Sequence, residues 1–97
     1  MRYRLTAKAS QDLIALTEYS IETFGQQQAR KYHQALERTF ELLADMPQMG
    51  PEDAHFEGCR RFLHGRHVIL YHLEEDQIVI VRLLHVAMDQ GRHAVDD

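Results

Sequence analysis

The apolar positions of this chain change period twice, and each change marks an element. Arg2 to Leu5 alternates polar and apolar side chains, the two-residue period of a short strand. Beyond it the spacing lengthens: Ala9, Leu13, Leu16, Ser20 and Phe24 recur at steps of three and four, the inward face of a helix about eighteen residues long. Thr6 stands where an N-cap accepts the first free backbone N–H groups, and Gly25 where a left-handed residue ends the helix. A second helix starts at Gln26 to Gln28, and its stripe of Ala29, Tyr32, His33, Leu36, Phe40 and Leu43 follows the helical template closely. It stops at Met46-Pro47, because proline disfavours helical backbone in the residue before it, and Gly50-Pro51 adds a turn. The two helices are expected to pair as an antiparallel hairpin.

A polar loop from Gln48 to Glu57 then leads back to the period of two. Strands are expected over Cys59 to Leu63, Arg66 to Leu73 and Ile78 to His85, with turns at His64-Gly65 and Glu74 to Gln77. The pattern predicts one α+β domain over residues 1–97, in the order β-α-α-β-β-β, with a helix hairpin on a mainly antiparallel four-stranded sheet. If the last connection has an even length, Arg60, Phe62, His67, Ile69, Tyr71, Ile78, Ile80, Arg82 and Leu84 share one face. The other carries Cys59, Arg61, Leu63, Val68, Leu70, His72, Val79, Val81, Leu83 and His85. Both faces are largely apolar, whereas one helix hairpin covers only one of them. The uncovered face predicts a partner protein, unless the tail Asp89 to Asp97 folds back over it.

Charge sharpens this picture. The formal net charge is -4, yet Gly58 to Leu73 holds three arginines, three histidines and no carboxylate. Positive charge is thus concentrated on one hairpin, a basic, aromatic-bearing surface where an acidic partner or a nucleic acid could sit. A sequence pI near 5.9 and only two lysines, Lys8 and Lys31, argue against broad phosphate binding and against direct sequence-specific contact with nucleic acid. The single cysteine, Cys59, excludes an intramolecular disulfide framework, and no apolar run suggests a signal peptide or a membrane span. A cytoplasmic setting is the expectation. Seven histidines invite a metal, but no His-x-x-x-His on a helix and no paired cysteine occurs, so neither a metal nor a cofactor is expected.

The ordered set Ala9-x-x-Asp12-Leu13-x-x-Leu16-x-x-Tyr19, Ala29 to Leu43, Pro47-x-x-Gly50, Arg60 or Arg61, Gly65, Tyr71 and Ile80-x-Arg82-x-Leu84-His85 resembles ParE toxins of the RelE/ParE superfamily. The resemblance covers nearly the whole chain. It implies the RelE/ParE-like fold and the toxin component of a type II toxin–antitoxin system of the plasmid-stabilisation kind. Such a toxin is neutralised by a ParD-like antitoxin and, when released, poisons DNA gyrase and inhibits growth. Antitoxin-binding positions would be Arg60, Phe62, Arg66, Ile69, Tyr71, Arg82 and Leu84, where a basic, apolar groove would receive an acidic amphipathic segment that folds as it binds.

The superfamily also holds RelE-like members that cut messenger RNA on the ribosome. Cleavage by a 2′-OH needs a base, an acid and cations near the phosphate. Arg82 would hold the phosphate with help from Arg60 or Arg61, His85 or His67 would move protons, and Tyr71 would stack a base. Such nucleases are typically rich in lysine and arginine, unlike this acidic chain. An inactive family member that only binds antitoxin is the third reading. One departure from the family pattern is Met88, where many relatives carry arginine.

Overall fold

The computed structural model describes residues 2–88. Its elements are β1 (Arg2–Leu5), α1 (Ala7–Phe24), α2 (Gln26–Asp45), β2 (Arg60–His64), β3 (His67–Leu73) and β4 (Gln77–His85), followed by a short 3-10 turn over Val86–Met88. Every expected strand and helix is present, with strand ends displaced by at most one residue. Thr6 caps α1 as its position suggested: its Oγ1 accepts the Ala9 N–H at 3.0 Å. Gly25 has φ 90°, a conformation open to glycine, and its single residue turns α1 into α2.

The sheet order is β1-β4-β3-β2. β1 runs parallel to β4, and the remaining pairs are antiparallel. Both helices pack on one face, where Leu16, Leu36, Phe40 and Leu43 meet Ile69, Tyr71, Ile78, Ile80 and Leu83. Each such fully buried side chain contributes about 1.5–3 kcal/mol by leaving water. Phe24, expected on the inward face of α1, is instead 61% exposed. It lies at the last residue of the helix, where the chain has already turned away from the sheet.

Two expectations about the sheet are overturned. The connection over residues 74–77 is even in length, with Leu73 opposite Ile78, as the parity argument required. Yet the register slips one residue further on: Tyr71 faces Ile80 whereas Leu70 faces Arg82, so Val81 is an extra residue in β4. A bulge of this kind reverses which side chains point to which face beyond it. Leu83 therefore joins the helix-covered core, while Leu84 joins Val68 and Leu70 in a second cluster. His67 comes to face His85.

The second correction concerns the face away from the helices. Val68, Leu70 and Val79 are each 1% exposed and Leu84 7%. Phe56, Val81 and Val86 pack against this cluster, so its centre is not an open apolar sheet. The tail from Asp89 onward lies outside the described residues. Phe56 reaches the sheet because Asp53 organises the preceding loop. Its Oδ1 accepts the N–H groups of His55 at 2.8 Å and Phe56 at 2.9 Å, while the Asp53 N–H donates to the Cys59 carbonyl at 2.9 Å.

Candidate functional site

The singled-out polar side chains are mostly committed to the fold. Pairing between β1 and β4 ends at Ile80, which leaves the rest of β4 with a free edge, and the start of α1 seals it. The Thr6 N–H donates to the Ile80 carbonyl at 3.0 Å and the Thr6 hydroxyl to the Val81 carbonyl at 2.9 Å. Nearly two turns further along α1, Asp12 takes the Leu83 N–H at 3.0 Å and a two-pronged contact from Arg82, with Nε at 2.7 Å and Nη2 at 3.1 Å. That carboxylate raises the Arg82 pKa above its ordinary value and fixes the guanidinium in place.

Tyr71 is fully buried and its hydroxyl is spent twice. It donates to the Pro47 carbonyl at 2.7 Å and accepts the Gly50 N–H at 3.0 Å, with burial pushing its pKa up. Arg60 completes this corner by donating from Nη1 to the Gly50 carbonyl at 2.7 Å. Gly50 is irreplaceable on packing grounds: a methyl group there would stand 2.5 Å from the Arg61 carbonyl oxygen and 2.7 Å from the Tyr71 hydroxyl. Arg61 bonds Asp53 at 3.1 Å, and that carboxylate is 1% exposed.

Of the seven residues expected to line one groove, Ile69 and Tyr71 therefore lie under the helices. Phe62 packs against the same core, and Leu84 points to the opposite cluster. Arg66 is exposed in the β2–β3 turn, and Arg60 is half-buried. Of the four residues of the nuclease constellation, Arg60 and Tyr71 meet at the Pro47–Gly50 turn, while Arg82 is held by Asp12 and His85 accepts the Ala87 N–H through Nδ1 at 3.1 Å.

The surface offers apolar area on α1, as it also does at Leu42 and Met46 near the end of α2 and at Leu63 and Leu73 of the sheet. Ile14 is 60% exposed, Ile21 39% and Phe24 61%, and spacings of seven and three place them on one side of α1. Tyr19, 62% exposed, stands apart from that stripe. Beside it runs a cleft of about 450 Å³ between the helices, lined by Thr17, Ile21, Ala29, Arg30, His33 and Glu37. Sequence reasoning missed this stripe because its template sought the inward-facing positions alone. The signal was present, since Ile14 and Ile21 are apolar at positions that the inward face does not need.

Among the described residues no group of three or more His, Cys, Asp or Glu side chains is placed to hold a metal ion, and no helix is long and apolar enough to cross a membrane.

The domain is thus a helix hairpin on one face of a four-stranded mixed sheet, with a sealed β4 edge and an apolar stripe left on its first helix. The family behind it is plain from comparison. The sequence profile of the family described as "ParE toxin of type II toxin-antitoxin system, parDE" matches residues 3–90, and the chain belongs to that family. It is 36% identical over 92 residues to Toxin ParE1 of Caulobacter vibrioides, an alignment that covers 94% of this chain and 95% of that one. It is 30% identical over 94 residues to Toxin ParE1 of Mycobacterium tuberculosis, covering 95% and 96%. A solved structure titled "Chromosomal ParDE TA system from P. aeruginosa" superposes with a TM-score of 0.77 over 88% of this chain and 95% of that one, at 20% identity, and shares the fold.

Proposed function

We propose that this chain is a toxin neutralised by a ParD-like antitoxin and that, when free, it acts in the cytoplasm as a stoichiometric poison of DNA gyrase rather than as an enzyme. Membership of the family supports the toxin role. One observation supports the non-enzymatic reading: two of the side chains that RNA cleavage would use are engaged in the fold. Arg82 is locked to Asp12, and Tyr71 is buried with both hydrogen-bonding directions of its hydroxyl occupied. A base-stacking ring must reach its substrate, which argues against that role for buried Tyr71, and the Asp12 carboxylate competes with a phosphate for Arg82.

The antitoxin contact is proposed on the apolar stripe of α1, with Ile14, Ile21 and Phe24 as anchors in place of the buried Ile69 and Tyr71. An amphipathic helix would lie in the adjoining cleft, and its acidic residues would meet Arg30 there. Of the basic hairpin, exposed Arg66 is kept as a flanking contact. The test is expression of the chain without an antitoxin. DNA breaks with an SOS response support gyrase poisoning, whereas codon-phased cuts in messenger RNA reject it in favour of a nuclease.

A further inference from the structure

Three histidines stand side by side on three neighbouring strands: His64 of β2 faces His67 of β3, which faces His85 of β4. The proposed function uses none of them. Helix α2 closes over this row. The Tyr32 hydroxyl lies 3.1 Å from the His64 carbonyl and 2.9 Å from His67 Nδ1. The Thr39 hydroxyl lies 3.1 Å from the Ala35 carbonyl and 3.0 Å from His64 Nδ1.

Counting hydrogens assigns the tautomers. A hydroxyl has one hydrogen, and a carbonyl can only accept. Tyr32 gives its hydrogen to the His64 carbonyl, so the hydrogen in its second bond comes from His67 Nδ1. Thr39 likewise spends its hydrogen on Ala35, so His64 Nδ1 donates to Thr39. His67 and His64 are thus both held as neutral Nδ1–H imidazoles, and any further proton must go to Nε2 and add a full charge. The His67 ring meets His85 edge to face at 5.4 Å and lies 5.8 Å from the Tyr32 ring. The groups facing it are His64 from β2, His85 from β4 and Tyr32 from α2, with Arg66 in the adjoining turn; among the described residues no carboxylate is recorded against it.

We propose that this row is an acid-released latch: in its neutral form it packs the β2–β3 turn against α2 through Tyr32 and Thr39, and a proton on His67 Nε2, which leaves the Nδ1–H bond to Tyr32 intact, loosens the turn by placing a charge in a partly buried ring beside His64 and His85. Burial, and then the neighbouring His85 and His64, lower the His67 pKa from 6.5 to about 4. Burial lowers that of His64 as well. For a histidine with a lowered pKa, the released form takes the proton first. The latch is therefore fully closed above pH 6.5 and weakens as pH falls towards 4. With these two values the opening equilibrium shifts by roughly 150-fold at pH 4, an upper limit because the ring is only partly buried.

The test combines histidine ring NMR titration with amide hydrogen exchange on the full chain. The His67 ring is expected to titrate more than about one unit below an ordinary histidine, and protection factors across residues 64–68 to fall at least about tenfold between pH 7 and pH 4.5. His67→Gln should abolish that fall. Tyr32→Phe, which keeps every imidazole but removes the tie, should leave the turn weakly protected already at pH 7. A His67 titration at the ordinary value would overturn the latch, as would a pH response unchanged by both substitutions.

Discussion

Tyr71→Phe separates a structural tyrosine from a functional one, because phenylalanine stacks on a base as well as tyrosine does. If Tyr71 served to stack RNA, the substitution would be nearly silent. The structure gives its hydroxyl a different task, as the only link shown between the Pro47 carbonyl and the Gly50 N–H, at 2.7 and 3.0 Å. Removing the oxygen strands the buried Gly50 N–H, at a cost of about 1–3 kcal/mol. The half-buried Pro47 carbonyl regains water more easily, and its loss adds about 1 kcal/mol. The ring itself stays in place, so little transfer energy changes and the expected total is about 2–4 kcal/mol. With a urea m-value near 1–1.5 kcal/mol/M for a domain of this size, the midpoint should fall by about 2 M with the slope unchanged. Thermal unfolding should shift down by at least about 8 °C. Loss of less than about 0.5 kcal/mol would refute the pinning role and restore Tyr71 as a candidate contact residue.

The other substitutions test separate parts of the same account. Asp12→Ala removes the partner of both the Arg82 guanidinium and the Leu83 N–H and should cost about 2–4 kcal/mol in urea unfolding; Asp12→Asn, which keeps an acceptor, should cost less. Gly50→Ala should destabilise by more than about 2 kcal/mol through collision with the Arg61 carbonyl, more than Gly25→Ala, where positive φ is the only penalty and a methyl group meets nothing within 4 Å. Ile14→Asp with Phe24→Asp should leave the melting temperature within a few degrees, because both side chains are more than half exposed. The same pair should weaken antitoxin affinity at least about tenfold by calorimetry, and unchanged affinity would remove the α1 stripe from the interface.

The elements were legible in the sequence because each rests on local physics. Helical spacing, the Thr6 cap, the Met46-Pro47 stop and two-residue alternation are settled within a few residues of one another. Two things were not legible, and both depend on distant partners. The Val81 bulge arises where β4 runs out of β1 to pair with, and α1 takes over its edge through Thr6 and Asp12. Nothing in Gln77 to His85 announces it. The loop that covers the second face looked merely polar, although Asp53 followed two and three residues later by His55 and Phe56 is the local pattern of a side chain folding its own backbone.

That one extra residue changes the functional reading more than the fold. With unbroken alternation, Arg82 and Leu84 would share a face with Tyr71, and a basic, aromatic groove would exist for RNA or an acidic peptide. With the bulge, Leu83 takes the inward place, Leu84 the opposite side, and Arg82 turns to Asp12 at the sheet edge. Positive charge that looked available in the sequence is then neutralised within the molecule: Arg82 by Asp12 and Arg61 by Asp53, while Arg60 is tied to the Gly50 carbonyl. A domain that consumes its cations in this way keeps little electrostatic attraction for a phosphate backbone. Exposed apolar side chains remain on α1, and the proposed burial of a partner helix against them is compatible with the bulge that dismantles the groove.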